Sequence, residues 1–314
     1  MTVPTSPLRQ SSTLFQFIGL ALIWGSSFLF MKVALTGVSF TQIAWSRSIL
    51  GATVLGAVML IGHHRLPRER VVWLHFVVIA VTNCVIPHLA FAWAEQHVSS
   101  SLASIYNSFT PIATAVLAAL VYKVEKLSRS QALGVVVGVI GVAVIIAPWR
   151  IEALTGDVYG QLACLIAAIS YGVAIGYIRR FISHRPLSGT TVAFMNIGTA
   201  AAIMLLLTPV LAPGPVELDF WVVASLVLLG ALGTGLAYIW NIGVIRAWGP
   251  TPSSTVTYLL PVVGVALGVL VLHESLTWNE PAGAVLVLLG ILVTQGRLTR
   301  RRSPRPEAVV EPAA

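Results

Sequence analysis

Apolar residues dominate this chain in ten stretches, each close to the length needed to cross a lipid bilayer. A transmembrane helix needs about 20 mostly apolar residues to span about 30 Å of hydrocarbon. Because lipid offers the backbone no hydrogen-bond partner, such stretches have to be helices. The pattern predicts an all-α membrane protein with ten transmembrane helices, approximately at Leu14–Val33, Thr41–Ile61, Val71–Ala94, Leu102–Tyr122, Gln131–Pro148, Tyr159–Ile182, Leu187–Leu211, Trp221–Ala247, Ser253–Leu272 and Trp278–Gln295.

Basic residues fall almost entirely in alternate gaps between these stretches. If the N-terminus is cytoplasmic, 16 of the 19 Lys and Arg residues lie on the inside, Lys32 and Arg150 lie at outside ends, and Arg47 lies within the second stretch. An excess of Lys and Arg in cytoplasmic loops is the usual signature of membrane orientation. We therefore expect a multi-pass protein of the bacterial inner (plasma) membrane, with both termini in the cytoplasm.

Composition agrees with a membrane protein, with 57% hydrophobic residues, 10% charged residues and a mean hydropathy of +0.88. Soluble domains carry about 25% charged residues. The net charge of +8 would suit nucleic acid, but its confinement to cytoplasmic ends points to membrane lipids as partners and excludes a nucleic-acid surface. The first stretch is too long for the core of a signal peptide and has no evident cleavage site.

No motif in the sequence carries catalytic chemistry. We find no metal-ligand cluster, phosphate-binding loop, dinucleotide fingerprint or nucleophile elbow, and therefore expect no cofactor, no metal and no enzymatic activity. An intramembrane enzyme would need paired acids, metal ligands or a Ser–His pair at depth. The two cysteines, Cys84 and Cys164, fall inside apolar stretches and are interpreted as small packing residues that form no disulfide.

The second half of the chain repeats features of the first half in the same order. The pattern predicts one five-helix repeat at residues 10–150, a second at 157–298, and a cytoplasmic tail at 299–314 that is first basic and then disordered. The matched positions, at offsets of 147 to 150, are Trp24 with Tyr171, Lys32 with Arg179, Trp93 with Trp240, Ser104 with Ser254, Pro111 with Pro261, Val124–Ser128 with His273–Thr277, Gly134 with Gly283 and Gly141 with Gly290.

An odd number of helices in each repeat means that the second repeat enters the membrane in the opposite sense. Such inverted repeats are related by a pseudo-two-fold axis in the membrane plane and are typical of secondary transporters. Two states of similar energy can then open alternately to each side of the membrane. The competing interpretation is that duplication only enlarged a scaffold.

Several motifs together resemble the drug/metabolite transporter superfamily and its EamA-type repeat. These are Trp24-Gly25 near the end of the first stretch, Pro111 and Pro261 in the fourth and ninth, and a Glu-x-Leu-Ser/Thr segment before a Gly-rich stretch in each half. The resemblance covers residues 14–296 and is strongest to bacterial exporters of amino acids and related metabolites, aromatic amino acids included. It implies export through a central cavity formed by both halves, without ATP hydrolysis.

Polar and aromatic side chains at depth are the candidates for a substrate site, since polar groups in a span are costly unless they face the bundle interior or water. Each candidate could instead be a packing residue. The prolines could be hinges or ordinary helix bends. The cavity candidates are Trp24, Asn83, His88, Asn107, Tyr171 and Tyr258, and the hinge candidates are Pro111 and Pro261.

Two charged residues have several possible roles. Arg47 lies about six residues into the second stretch, where it could snorkel outward, neutralise Glu95 or contact a substrate carboxylate. Glu95 is close to the outer end of the third stretch and could be solvated there. No Asp or Glu occupies mid-span, so the usual carboxylate proton relay is missing, and proton coupling would have to use His88, Glu95 or an end carboxylate.

The sequence therefore predicts a secondary transporter that exports amino acids or related small metabolites by alternating access. The alternative is a carrier of drugs, nucleosides or other metabolites with the same architecture. A channel is a further class, which saturable counterflow would exclude. The oligomeric state stays open, and a monomer is compatible with the pattern.

We expect ten spans with both termini in the cytoplasm. Reporter fusions or cysteine accessibility should place the Arg300–Arg302 tail inside, because the positive-inside distribution requires it. A tail that is labelled from outside intact cells would contradict the orientation and the inverted repeat together.

Overall fold

The computed structural model describes residues 7–124, 126–147, 157–249 and 253–295, and all regular structure within these ranges is helical. Eight helices there are long and apolar enough to cross a membrane, and two shorter apolar helices follow them. We label these helices α1 to α10: Ser12–Ala34, Phe40–Ile61, Arg70–Ala94, Ser100–Leu120, Arg129–Ile146, Val158–Phe181, Gly189–Leu206, Phe220–Trp248, Val256–Val271 and Asn279–Thr294.

These helices agree closely with the apolar stretches predicted from the sequence. Serine side chains fix four of the starts, because Ser39, Ser99, Ser128 and Ser188 each accept a hydrogen bond from a backbone N–H in the first turn. Such caps satisfy donors that the helix itself leaves unpaired. The predicted tail at 299–314, Glu125 of the first repeated segment, and Arg150 lie outside the described residues.

Four of the helices are not regular α-helices from end to end. Helix α1 is interrupted at Ser26, and α4 consists of Ser100–Asn107 and Thr110–Leu120. Helices α3 and α8 contain π-helical segments at Val81–Val85 and Leu228–Leu236. Residues in or directly beside each interruption line the candidate site described below.

Contacts between helices run mostly from the first five helices to the last five. Helix α1 packs on α8 and α9, α2 on α7 and α8, α3 on α6 and α7, α4 on α6 and α9, and α5 on α10. Exchanging each helix with the one five places along the chain leaves this pattern unchanged. The helix contacts are therefore two-fold symmetric, as the repeated sequence leads one to expect.

Helices α5 and α10 form a close pair through glycines on their facing surfaces. A Cβ atom added at Gly141 would lie 2.8 Å from the Val287 backbone nitrogen, and one at Gly290 would lie 2.6 Å from the Gly134 carbonyl oxygen. Small residues let transmembrane helices approach until their backbones touch. The glycine pattern of the fifth helix therefore serves packing within the chain.

Replacing Gly141 with Ala should destabilise the protein, because the added methyl group meets backbone atoms that cannot move aside. Overpacking of this kind costs about 1–3 kcal/mol. The apparent melting temperature in detergent should fall by several degrees. Gly56→Ala is the matched control, since a Cβ there lies 3.4 Å from Phe194, an ordinary contact; equal stability of the two variants would contradict the close helix pair.

Candidate functional site

A cavity of about 210 Å³ lies at the centre of the bundle. Its walls come from α1, α3 and α4 of the first half, from the corresponding helices α6, α8 and α9 of the second half, and from α2. The residues that line it are Trp24, Ser27, Phe28, Met31, Arg47, Asn83, His88, Phe91, Asn107, Thr110, Pro111, Tyr171, Ile175, Gly233, Thr234, Tyr238, Thr257 and Leu260.

Both π-helical segments contribute residues to the wall of this cavity. The segment in α3 begins at Val81 and the one in α8 at Leu228, an offset of 147 positions, which is also the offset between Trp24 and Tyr171. Segments of π-helix inside α-helices occur frequently at functional sites. They bring Asn83 from one half and Thr234 from the other to the cavity wall.

Aromatic side chains from both halves form much of the wall. The Trp24 indole N–H donates to the Gly233 carbonyl oxygen at 2.9 Å, and its ring packs edge-on against Tyr238 with centroids 6.0 Å apart. Tyr171 stands 6.3 Å from Phe91 between ring centroids. The two residues that match in the repeats, Trp24 and Tyr171, therefore both line the cavity.

Arg47 points into the cavity. Its Nε donates to the Thr234 hydroxyl at 2.9 Å, and that hydroxyl donates in turn to the Leu229 carbonyl oxygen at 3.0 Å. A guanidinium has five N–H donors, and among the described residues only this one hydrogen bond engages them. The bond to Thr234 holds Arg47 at the cavity wall instead of at the membrane surface, and no hydrogen bond joins its guanidinium to Glu95 among the described residues.

The predicted polar candidates also lie at the cavity. The Asn83 amide nitrogen donates to the Tyr238 hydroxyl at 3.3 Å, and the buried His88 has its Nδ1 3.4 Å from the Ser48 hydroxyl. The half-buried Asn107 side chain lines the cavity and makes no hydrogen bond to the described residues. Asn107 is therefore well placed to bind water or solute.

One predicted cavity residue lies elsewhere. The Tyr258 side chain turns away from the cavity toward α10, where its hydroxyl donates to the Gln295 side-chain oxygen; its neighbour Thr257 takes the place on the wall. Residues 257 and 258 point about 100° apart on a helix, so the polar run in α9 could not decide between them. The structure corrects this assignment.

The two proline candidates occupy different environments. Pro111 lines the cavity at the start of the second part of α4, directly after the interruption in that helix. Pro261 is buried inside the continuous helix α9. The two prolines match in sequence, but Pro111 lies in an interrupted helix and Pro261 in a continuous one.

A carboxylate from the second half of the chain binds the N-terminus of α4. Glu274 accepts hydrogen bonds from the Ser100 and Ser101 backbone N–H groups at 2.7 and 3.0 Å and from the Ser101 hydroxyl at 2.6 Å. A carboxylate is stabilised at a helix N-terminus. Partial burial alone would raise the pKa of Glu274, but these hydrogen bonds outweigh it and hold the pKa below its ordinary value.

Two further charged groups lie near this contact. The Lys32 ammonium donates to the backbone carbonyl oxygens of Glu95 and Val98 at 2.6 and 3.1 Å. The Glu95 side chain is fully buried, and its carboxyl oxygens have no hydrogen-bond partner among the described residues. The expectation of a solvated Glu95 is therefore wrong, and a carboxyl group so placed is most stable in its neutral form.

Sequence reasoning missed Tyr238, Thr234 and Glu274. Tyr238 lies in the Leu236–Trp240 segment that echoes Leu89–Trp93, so the repeat could have identified it. The role of Thr234 depends on a π-helical turn that no sequence pattern announces. Glu274 belongs to the repeated Glu-x-Leu-Ser/Thr segment, but its contact with α4 joins residues 173 and 174 positions apart.

Comparison with known proteins gives consistent matches along the chain. The family model described as the EamA-like transporter family matches residues 11–147 and again residues 158–295. A probable amino-acid metabolite efflux pump of Salmonella typhimurium is 26% identical over 90% of this chain and 95% of its own length.

Two other relatives and one solved structure match over a similar length of the chain. A probable terminal-alkyne amino-acid exporter of Streptantibioticus cattleyicolor is 25% identical over 94% of this chain and 97% of its own, and the uncharacterized transporter YoaV of Bacillus subtilis is 24% identical over 91% and 97%. A crystal structure covering 92% of this chain and 99% of its own superimposes with a TM-score of 0.60 at 20% identity, which supports the fold alone.

Proposed function

The chain belongs to the EamA-like transporter family, and we propose that it exports amino acids or related small metabolites by alternating access. It is a multi-pass transporter of the inner membrane and not an enzyme. Relatives named as an amino-acid metabolite efflux pump and an amino-acid exporter support the choice of substrate class.

The observation that carries this proposal is the central cavity between the two halves. Pockets for drug-sized ligands measure about 300–1,000 Å³, and this cavity of about 210 Å³ is smaller. Its aromatic walls suit an apolar side chain, and its amides can orient polar groups. A small amphipathic metabolite therefore fits better than a nucleoside or a multidrug substrate, which are the alternatives within the same architecture.

The two-fold arrangement of helices supports alternating access. We propose ten spans arranged as inverted repeats at residues 10–150 and 157–298, with both termini in the cytoplasm. Inverted repeats allow the same contacts to form at either end of the cavity in turn. In this orientation Glu274 and Ser101 lie at the extracellular end, where their contact has to break before the cavity can open outward.

Replacing Asn83 or Asn107 with Ala should weaken transport of amino acids without preventing membrane insertion. Loss of one oriented hydrogen bond costs about 0.5–1.5 kcal/mol, which is roughly 2- to 12-fold in affinity. Counterflow of labelled amino acids in proteoliposomes measures this change. Wild-type rates and apparent affinities in both variants would show that these side chains serve packing only.

Replacing Glu274 with Ala should make the cavity more accessible from outside, because α4 loses the carboxylate at its N-terminus. The reporter is Ser27→Cys on the cavity wall, in a Cys84→Ser and Cys164→Ser background. A membrane-impermeant thiol reagent applied to intact cells should label it several-fold faster. Since the bonded form is the carboxylate, the contact holds at neutral pH and is lost as the outer pH falls through the lowered pKa of Glu274.

The control for this experiment is Glu217→Ala, which removes an exposed carboxylate from the α7–α8 connection on the same side. It should leave the labelling rate of the Ser27→Cys reporter unchanged. Equal rates in the Glu274→Ala variant and the parent would refute the proposed role of this contact in closing the outer end.

A further inference from the structure

We infer that the cavity recognises its solutes through a carboxylate bound to Arg47, and that an amino group on the solute is dispensable. The substrate class is then small amphipathic monocarboxylates, of which amino acids are one subset. Desamino, hydroxy and N-modified acids are others. This inference rests on the proposed transport function. It makes a carboxylate a requirement for transport and removes the requirement for an amino group.

The charge balance of the cavity is the first support. Arg47 is the one charged side chain among the described residues of the lining, and none of them is Asp or Glu. A cation in a low-dielectric site needs an anion to offset its desolvation. Lys32 cannot serve as a second cation in the cavity, because its ammonium is bound to the carbonyl oxygens of Glu95 and Val98.

The geometry of Arg47 is the second support. The single hydrogen bond from Nε to Thr234 fixes the side chain inside the cavity and leaves the two terminal NH₂ groups without partners among the described residues. Arginine binds carboxylates through two parallel N–H···O bonds. The guanidinium is therefore oriented by α8 and remains available to a solute.

An ammonium group has no comparable partner. The groups that could receive it are neutral: the Asn83 and Asn107 amide oxygens and the faces of Trp24 and Tyr171. Loss of one neutral hydrogen bond changes affinity by about 2- to 12-fold, whereas loss of a hydrogen bond to a charged group changes it by about 10- to 150-fold. The carboxylate should therefore dominate recognition.

The test is competition against labelled phenylalanine in counterflow with proteoliposomes of the wild-type protein. The competitors are phenylalanine, 3-phenylpropanoate, phenylalaninamide and phenethylamine, which differ in only the two groups of interest. We expect 3-phenylpropanoate to compete within about 12-fold of phenylalanine. The amide and the amine should be weaker than phenylalanine by about 10- to 150-fold. Competition by phenylalaninamide as strong as that by phenylalanine, or stronger than that by 3-phenylpropanoate, would overturn the inference.

Variants identify the residue responsible. Arg47→Gln should lower the affinity for phenylalanine to about that for phenylalaninamide and leave the affinity for the amide unchanged. Thr234→Val removes the hydrogen bond that orients the guanidinium, and it should lower the ratio of the two affinities in part. Arg47→Lys keeps the positive charge but cannot form two parallel hydrogen bonds, so its affinity ratio should lie between those of the wild type and the Gln variant. This variant tests the inference if the Gln variant does not insert into the membrane. Arg185→Gln, at an ion pair with Glu69 away from the cavity, is the control and should retain the wild-type ratio.

The outcomes separate this inference from the proposed function. If neither amino acids nor 3-phenylpropanoate shows saturable counterflow, the proposed function fails and the inference fails with it. If amino acids are transported but Arg47→Gln retains the wild-type ratio, the function stands and the carboxylate site is wrong. The assays are run in chloride and in methanesulfonate; competition by chloride alone would assign Arg47 to an inorganic anion and also overturn the inference.

Discussion

A polar group inside a bilayer has to find its partner within the protein, and this constraint organises the structure. Backbone groups are satisfied by helices. Side chains then bond backbone groups of the other half: the Trp24 indole N–H donates to the Gly233 carbonyl oxygen in the π-helical segment of α8, and Glu274 accepts from the N-terminus of α4. Where partners are incomplete, at Arg47 and Asn107, the side chains face the cavity. These two side chains are donors on the cavity wall that remain available to a solute.

The arrangement of the helices is two-fold symmetric, but the side chains that line the cavity are not. Helix contacts, the π-helical segments and the Trp24–Tyr171 pair all follow the repeat. Arg47 does not, because the position 147 residues later is Phe194, which packs among apolar side chains. A symmetric frame permits equivalent states open to either side. The asymmetric residues can then determine which solute binds in either state, and Arg47 contributes the charge.

The helices and most of the candidate site could be predicted from the sequence, since long apolar stretches leave few alternatives in a membrane. Trp24, Asn83 and Tyr171 were found because polar and aromatic groups at depth are rare. Tyr258 was assigned wrongly, as the pattern could not give the rotation of α9. The buried state of Glu95 and the support of Arg47 by Thr234 depend on contacts between distant segments and on a π-helical turn, which no local pattern encodes.

The central claim is that the cavity carries a small amphipathic metabolite and alternately opens to each side. Counterflow in proteoliposomes, with a panel of labelled amino acids, nucleosides and cationic drugs, tests it most directly. The account predicts saturable exchange that is accelerated by unlabelled amino acids with apolar side chains and is absent for nucleosides and drugs. Exchange of nucleosides or drugs alone, or flux that does not saturate, would contradict it.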